Sequence, residues 1–361
     1  MNYHIALSRP FDLDSLEKEA SDDRRPRHVL WTLQQRLSAR VHQPNLHAAT
    51  LQDRLLSKLI GQPEHWALAR QMVSNLTDDD VVFCVGEDIG FPVALLVAWK
   101  RLNTKVVVSV MAPDRLRVRS VLKLFNLQQN IPVFFVNTKL KAKSLCDWLS
   151  LPSDRVRVLP EQTDVRFFKP GESTSQGEVP VIASGGMEQR DYRTLAQATK
   201  NMDVDVRISA VSPNASTSTR VSFPETVPDN MKIDHYEWQA LRQLYRDASV
   251  VVVSLLPNDY SAGLTTLIEA MACRRPVIIS RTPGLAEELI DQGLVVGVPP
   301  LDNDALRLAI TTLLNDQDYA EKLAQRGYDA VMASFTSENH VQYLANHIRQ
   351  LDIKAVAVPV A

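Results

Sequence analysis

Short β-branched runs alternate with longer segments of helical period along the chain, and that alternation leaves few folds open. Val81 to Val85, Lys105 to Met111, Pro132 to Val136 and Val156 to Leu159 predict strands in the first half. Val179 to Ala183, Val204 to Val211, Val250 to Leu256, Val277 to Ser280 and Leu294 to Val298 repeat the scheme in the second. Strands separated by helices build βαβ units on parallel sheets. The 361 residues exceed the roughly 250 to 300 that one core accommodates, so two such α/β layers in tandem are expected. Lys169-Pro-Gly-Glu-Ser-Thr-Ser-Gln-Gly-Glu-Val-Pro180 carries no hydrophobic period and clusters Pro, Gly and Ser, which is linker chemistry. The expected organisation is a first domain over 1–168, a linker over 169–180, a second domain over 181–335 and a terminal segment over 336–361. In that segment Val341, Leu344, Ile348 and Leu351 recur at helical spacing behind the N-cap candidates Thr336 and Ser337.

Charge and composition remove several classes of function. Forty basic side chains against 42 acidic ones give no strong global field, which disfavours a charge-driven nucleic-acid binder. With 45% hydrophobic and 23% charged residues the chain is too apolar for intrinsic disorder. Cys84, Cys146 and Cys273 are widely spaced with no C-x-x-C pair and read as reduced thiols. The longest apolar run, Phe91 to Trp99, is far below the ~18 residues of a spanning helix. The acidic stretch Asp12, Asp14, Glu17, Glu19, Asp22 and Asp23 is unlike a secretory signal, so a cytoplasmic protein is expected. Eight histidines show no metal-ligand spacing, and neither a dinucleotide G-x-G-x-x-G nor a P-loop occurs.

The stretch from Val250 to Ser280 parses as strand, loop, helix, strand. Its loop, Pro257 to Gly263, delivers the chain into a helix starting near Leu264. Thr265 and Thr266 then set hydroxyls beside backbone N–H groups that have no intrahelical partner. The helix dipole adds roughly half a positive charge there, and Gly263 permits close approach, so the helix start suits a phosphate. Glu269, four residues after Thr265, shares its face and suits the vicinal hydroxyls of a ribose. Ordinary helix capping is the other reading of these residues.

The same stretch resembles the donor-binding signature of family 4 glycosyltransferases, retaining enzymes with the GT-B fold. The resemblance rests on Glu269-Ala-Met-Ala-Cys, on the basic pair before Pro276-Val-Ile and on Arg281-Thr-Pro-Gly-Leu-Ala-Glu-Glu-Leu-Ile. Thr163-Asp-Val-Arg-Phe-Phe-Lys-Pro170 is similar to the family's interdomain segment, and Ser184 to Ala198 to its first donor-domain loop and helix. It spans about Leu159 to Leu351; the N-terminal half is similar in architecture alone. The resemblance implies two Rossmann-like domains facing a cleft, with the C-terminal helix crossing back to the N-terminal domain. It further implies a hexosyltransferase that moves a sugar from a nucleotide-diphospho-sugar to a lipid, saccharide or small-molecule acceptor with retention and without metal or cofactor. Arg190 stands where the family has its phosphate-binding Lys, and Glu269 where it has the Glu that binds ribose. The amides of Ala262, Gly263, Leu264, Thr265 and Thr266 face the diphosphate, beside Gly185 and Gly186, and His235 and Tyr236 flank the base. Two positions depart from the pattern: Ser261 replaces the first Glu of E-x7-E, and Gly185 replaces an Arg. A catalytically degenerate relative, serving as a nucleotide-binding or protein-interaction scaffold, is therefore the alternative; in an active enzyme Arg190, Arg193 or Arg281 supplies the missing charge.

The acceptor side offers weaker signals. Glu87 and Asp88 in Gly86-Glu-Asp-Ile-Gly90 follow a strand, at the sheet edge where doubly wound folds bind ligands; the same charges also suit a helix N-terminus. Gly90 and His28 complete the acceptor candidates, His28 as a base or as an ordinary hydrogen-bonded histidine. Trp238 and Tyr245, seven residues apart, read as core packing. Arg115, Arg117, Arg119 and Lys123, then Lys139, Lys141 and Lys143, lie among leucines and fit either a solvated helix face or peripheral contact with anionic lipid.

Overall fold

The structure, a computed structural model, describes residues 2–45, 49–175, 179–210, 223–258 and 262–353. The chain divides into two compact units. The first comprises residues 1–17, 28–159 and 340–361; the second comprises 18–27 and 160–339.

The first unit runs β1 (Tyr3–Leu7), α1 (Leu13–Ser21, whose end counts with the second unit), α2 (Val29–Leu37), β2 (Arg40–His42), α3 (Leu51–Leu56) and α4 (Pro63–Val73). It continues with β3 (Val81–Val85), α5 (Glu87–Trp99), β4 (Lys105–Ser109), α6 (Leu116–Leu124), β5 (Phe134–Val136), α7 (Lys139–Leu149) and β6 (Val156–Val158). Among the described residues its strands form one parallel sheet in the order β2-β1-β3-β4-β5-β6. β3 is buried along nearly its whole length, as a central parallel strand covered on both faces requires. The helix starts are chemically specified: Thr50 and Asp53 form a reciprocal capping box on α3, and Pro63 opens α4 at a position that needs no N–H donor.

The second unit runs β7 (Val181–Gly185), α8 (Tyr192–Thr199), β8 (Asp205–Ser209), β9 (Met231–Asp234), α9 (Trp238–Asp247), β10 (Val250–Val253) and α10 (Leu264–Ala272). β11 (Val277–Ser280), α11 (Leu285–Asp291), β12 (Val296–Val298), α12 (Asn303–Asn315), α13 (Gln317–Ser334) and α14 (Ser337–Ile353) follow. Its parallel sheet has the order β12-β11-β10-β7-β8-β9. Thr336 caps α14 by accepting from Asn339 N at 3.1 Å. From His340 onward α14 belongs to the first unit, where Val341, Leu344, Ala345 and Ile348 join the core of Ile5, Leu33 and Phe135.

The short N-terminal segment 18–27 belongs to the second unit. There Asp23 receives both terminal nitrogens of Arg242, at 2.7 and 2.8 Å, while the guanidinium lies 4.4 Å from the Phe167 ring centre. Asp164, the acid of the interdomain segment, accepts from Arg27 N at 2.7 Å and from Arg166 N at 3.0 Å. Phe167 and Phe168 after it are core residues of that unit.

Candidate functional site

In the second sheet the chain steps outward from β7 through β8 to β9, then returns to the other side of β7 with β10, β11 and β12. This is the dinucleotide-fold order, and such sheets bind ligands in the crevice outside the carboxyl ends of the two strands where direction reverses. Here those ends are Gly185 on β7 and Val253 on β10. The loops leaving them are pinned together by Asp191 N to Ser254 O at 2.9 Å and Leu256 N to Gln189 O at 2.9 Å, with an antiparallel bridge between Arg190 and Leu255. Asp191 then caps α8 by accepting from Thr194 N at 3.0 Å.

Arg190 lies at the centre of this crevice, only 4% exposed. Its guanidinium donates to Gly185 O at 2.7 Å, to Glu188 O at 3.0 Å and to the Thr266 hydroxyl at 3.1 Å. Thr266 passes its own proton on to Gly185 O at 3.3 Å, so the network links the end of β7 to the first turn of α10. Two glycines make room for it. A Cβ on Gly186, at φ +90°, would fall 2.4 Å from an Arg190 terminal nitrogen; one on Gly263, at φ +79°, would fall 2.6 Å from Val253 Cγ1 and 3.3 Å from Arg190 Nη1. Gly263 occupies the N-cap of α10 and no side chain caps that helix start. Its first amides, Leu264 to Thr266, are free of the usual side-chain acceptor and lie on the element that Arg190 touches.

Glu269, one turn further along α10, is 6% exposed. Its carboxyl accepts from the Tyr245 hydroxyl of α9 at 3.3 Å. Burial pushes Glu269 up to about 8, against the opposing pull of the Tyr245 hydrogen bond and the Arg190 charge. Burial, and then Glu269, push the Tyr245 phenol well above its ordinary value. An ionisable pair held this way in a sheet crevice is the kind of environment that functional sites create.

The structure brings together Arg190, Gly185, Gly186, Gly263, Thr266 and Glu269, and it separates others. Thr265 is exposed whereas Glu269 is buried, so Thr266 is the α10 hydroxyl that shares the buried network with Arg190. Ala262 and Leu264 bury their side chains in the core. His235 and Tyr236 follow β9, two strands from β7; His235 is exposed and sits 3.1 Å from Glu237, and Tyr236 is partly buried against the unit's core. Ser261, like Asp259, lies outside the described residues. Neither alternative cation faces the crevice: Arg193 donates to Phe223 O at 2.9 Å and lines a separate cavity with Lys200 and Glu225, while Arg281 is paired with Asp291 at 2.9 Å and with Glu287. Nor is position 185 simply vacant. An added Cβ would lie 3.1 Å from the Tyr245 hydroxyl, so Tyr245 fills space that a longer side chain would need. Sequence reasoning assigned Tyr245 to the core and missed its contact with Glu269. It also passed over Asn258 Oδ1 and Thr282 Oγ1, two buried atoms on the loops after β10 and β11 that have no hydrogen-bond partner among the described residues.

In the first sheet the reversal falls between β1 and β3. Glu87, at the start of α5, is buried and accepts from Met111 N at 2.9 Å; Asp88 beside it is exposed. Gly90 packs its backbone against β4 and β3, since a Cβ there would lie 2.4 Å from Val108 Cγ1 and 3.2 Å from Cys84 Cβ. His28 caps α2 by accepting from Leu30 N at 3.3 Å, with its ring 5.2 Å from that of Phe11. Phe11 in turn lines a cavity of about 450 Å³ with Asp12, Asp14, Gln34 and Gln43, at the carboxyl ends of β1 and β2.

Comparison with known proteins agrees with this geometry. Residues 181–316 match the family model described as glycosyl transferases group 1. The MMP alpha-(1->4)-mannosyltransferase of Mycolicibacterium hassiacum is 23% identical over 208 residues, covering 55% of this chain and 49% of that protein, so the chain spans about half the length of this curated relative. Among solved structures, the sucrose-phosphate synthase from Thermosynechococcus elongatus superposes with a TM-score of 0.71 at 17% identity, over 98% of this chain and 100% of the other. Anabaena HepE, solved in complex with UDP and glucose, superposes at 0.68 and 13% identity over 97% and 100%. Residues 181–316 are thus similar to glycosyl transferases group 1, within a chain whose two parallel α/β sheets are those of the GT-B fold.

Proposed function

We propose that the protein is a hexosyltransferase of the family 4 type, moving a sugar from a nucleotide-diphospho-sugar to an acceptor with retention at the anomeric carbon. The observation that carries this reading is the joining of Arg190 and Thr266 across the reversal point of the second sheet, one turn from buried Glu269. The mannosyltransferase relative and the UDP complex of Anabaena HepE support a nucleotide-sugar donor; retention rests on the family resemblance.

In this reading the uncapped start of α10 and the remaining Arg190 hydrogens hold the diphosphate. Breaking the bond from the anomeric carbon to the diphosphate oxygen places negative charge on that leaving group, and preorganised donors stabilise it without having to reorient. The acceptor hydroxyl oxygen forms the new bond to the anomeric carbon, and its proton passes to the departing phosphate oxygen. Glu269 receives the ribose hydroxyls, with Tyr245 holding its carboxyl in place. Asp88 and the cavity beside Phe11 are the acceptor-side groups free of a bracing role, and the acceptor is a polyhydroxylated molecule or a lipid carrying one.

Calorimetry with uridine, guanosine and adenosine diphosphates, on the wild type and Glu269→Ala, tests the reading. Binding of one nucleotide, weakened at least tenfold by the substitution, followed by turnover of the corresponding nucleotide-sugar, is the expected result. Absence of binding by all three would instead make the chain a non-catalytic scaffold, the reading favoured by the loss of the family's Arg at Gly185.

A further inference from the structure

We propose that the surface formed by α3 and α6 of the first unit docks peripherally on a bilayer containing anionic lipid. α6 buries Val118, Val121 and Leu122 and turns Leu116, Ser120, Lys123 and Leu124 outward. Leu116 is 82% exposed and Leu124 72%, eight residues apart and therefore on one face. α3 repeats the pattern in shorter form, with Leu51 at 80% and Leu55 at 64%, four residues apart. Arg117 connects the two helices by donating to Ser57 O at 2.6 Å and Leu59 O at 2.7 Å, in the turn that follows α3. Scattered surface leucines are ordinary, but paired sets on two tethered helices expose apolar surface that water does not favour.

The charges select the partner. Arg54, Lys58, Arg115 and Lys123 are exposed among these leucines. The acids of the same segments are already neutralised within the unit: Asp53 by Arg70 at 2.9 Å, and Asp114 by Arg119 and the Ser144 hydroxyl, each at 2.9 Å. Leucines on one face beside unneutralised cations match the interface of an anionic bilayer, where apolar side chains enter the acyl boundary and cations meet the headgroups. The sequence alone favoured a solvated helix face for α6, because the turn after α3 that Arg117 holds lies some sixty residues away and meets α6 only in the fold. The docking surface belongs to the first unit and does not depend on the nucleotide site.

Cosedimentation of the full chain with vesicles tests the proposal, comparing phosphatidylcholine alone with a phosphatidylcholine–phosphatidylglycerol mixture. Partition into the mixed vesicles, little into the neutral ones, and release as salt is raised are expected. Removing Arg115 or Lys123 should lower partition about fivefold each at low salt. Leu116→Ser with Leu124→Ser should lower it at least tenfold while thermal melting and nucleotide binding stay as in the wild type, since these side chains lie outside the core. Absence of partition, or partition unchanged by the leucine and cation substitutions, would overturn the proposal. So would a concentration-dependent dimer abolished by the leucine substitutions, which would assign the surface to a second copy of the chain.

Discussion

At the first sheet's reversal point, between β1 and β3, three polar side chains end on the protein's own backbone. Glu87 accepts from Met111 N, the His65 ring contacts Ser8 O at 2.8 Å and Gln62 N at 3.0 Å, and His28 is spent capping α2. At the second sheet's reversal point, between β7 and β10, the groups bond to one another as well as to backbone: Arg190 to Thr266 and to the Gly185 and Glu188 carbonyls, Glu269 to Tyr245, with two left-handed glycines clearing the space. A carboxylate bonded to a backbone amide is a finished structural brace. One buried with a phenol as its hydrogen-bond partner among the described residues, and shifted up to about 8, keeps unspent capacity that a ligand can use. Two sheets of the same construction thus separate into one whose edge is closed by its own hydrogen bonds and one whose edge retains a reserve.

Breaking the reserve should have the largest effect. Arg190→Ala is expected to lower sugar transfer by about 10²- to 10³-fold, the cost of losing one preorganised donor. Arg190→Lys restores the charge but not the planar fork, so partial rescue of transfer with continued loss of melting temperature would separate the two roles of this side chain. Transfer unchanged in Arg190→Ala would assign Arg190 to structure alone. On the closed side the corresponding test is Gly90→Ala, which drives a methyl into Val108. It should cost about 1–3 kcal/mol of stability in denaturant melts and leave nucleotide affinity untouched.

How much of this was legible beforehand depends on how local the signal is. The start of α10 at Leu264 could be read from a loop ending in glycine before an apolar-periodic segment, and Arg190 and Glu269 from the resemblance of their surroundings. Tyr245 could not: it lies seven residues after Trp238 on α9, a spacing that core packing also produces, and only the tertiary fold carries its hydroxyl to Glu269, 24 positions away. Gly90 could not either, because a glycine under a β-strand and a glycine beside a ligand look alike in sequence. β2 and β9 were missed for a different reason. Arg-Val-His and Met-Lys-Ile-Asp are edge strands whose outer faces stay polar, so neither forms an apolar run.

The two units should also respond to pH in opposite directions. In the first, His4 Nδ1 and His42 Nε2 lie 2.9 Å apart, with Asp80 and Arg40 as the charged neighbours. Burial lowers both histidines, His42 to about 4. Folded-state values below the unfolded ones mean that this unit keeps their contribution above about 6.5 and loses it as pH falls toward about 4. Glu269 has the reverse sign. Its folded value is raised from 4.5 to about 8, so the second unit is favoured at low pH and weakened as pH climbs to 8. Hydrogen exchange of the full chain, followed in peptides from β1 and β10, should show these opposite slopes. Glu269→Gln should flatten the second and raise melting temperature at alkaline pH. If ribose hydroxyls require the ionised carboxylate, nucleotide affinity should rise about fivefold between pH 7 and 8, and the same substitution should abolish that rise. A slope for β10 parallel to that for β1 would remove Glu269 from this account.

Glu87→Gln should have the smallest effect and examines the closed side most finely. The amide retains an oxygen that can accept from Met111 N, so a pure brace loses only the charge assistance of the hydrogen bond, roughly 1 kcal/mol or less in a thermal melt. Transfer and donor hydrolysis should then keep their wild-type rates. If Glu87 instead used its second oxygen to hold the acceptor, donor hydrolysis would persist while the acceptor KM rose severalfold, because a glutamine can turn its NH2 toward the hydroxyl it formerly accepted from. Asp88→Asn provides the control: it is exposed, so it should leave stability unchanged, and a rise in acceptor KM confined to this variant would place the acceptor at the neighbouring residue rather than at the brace.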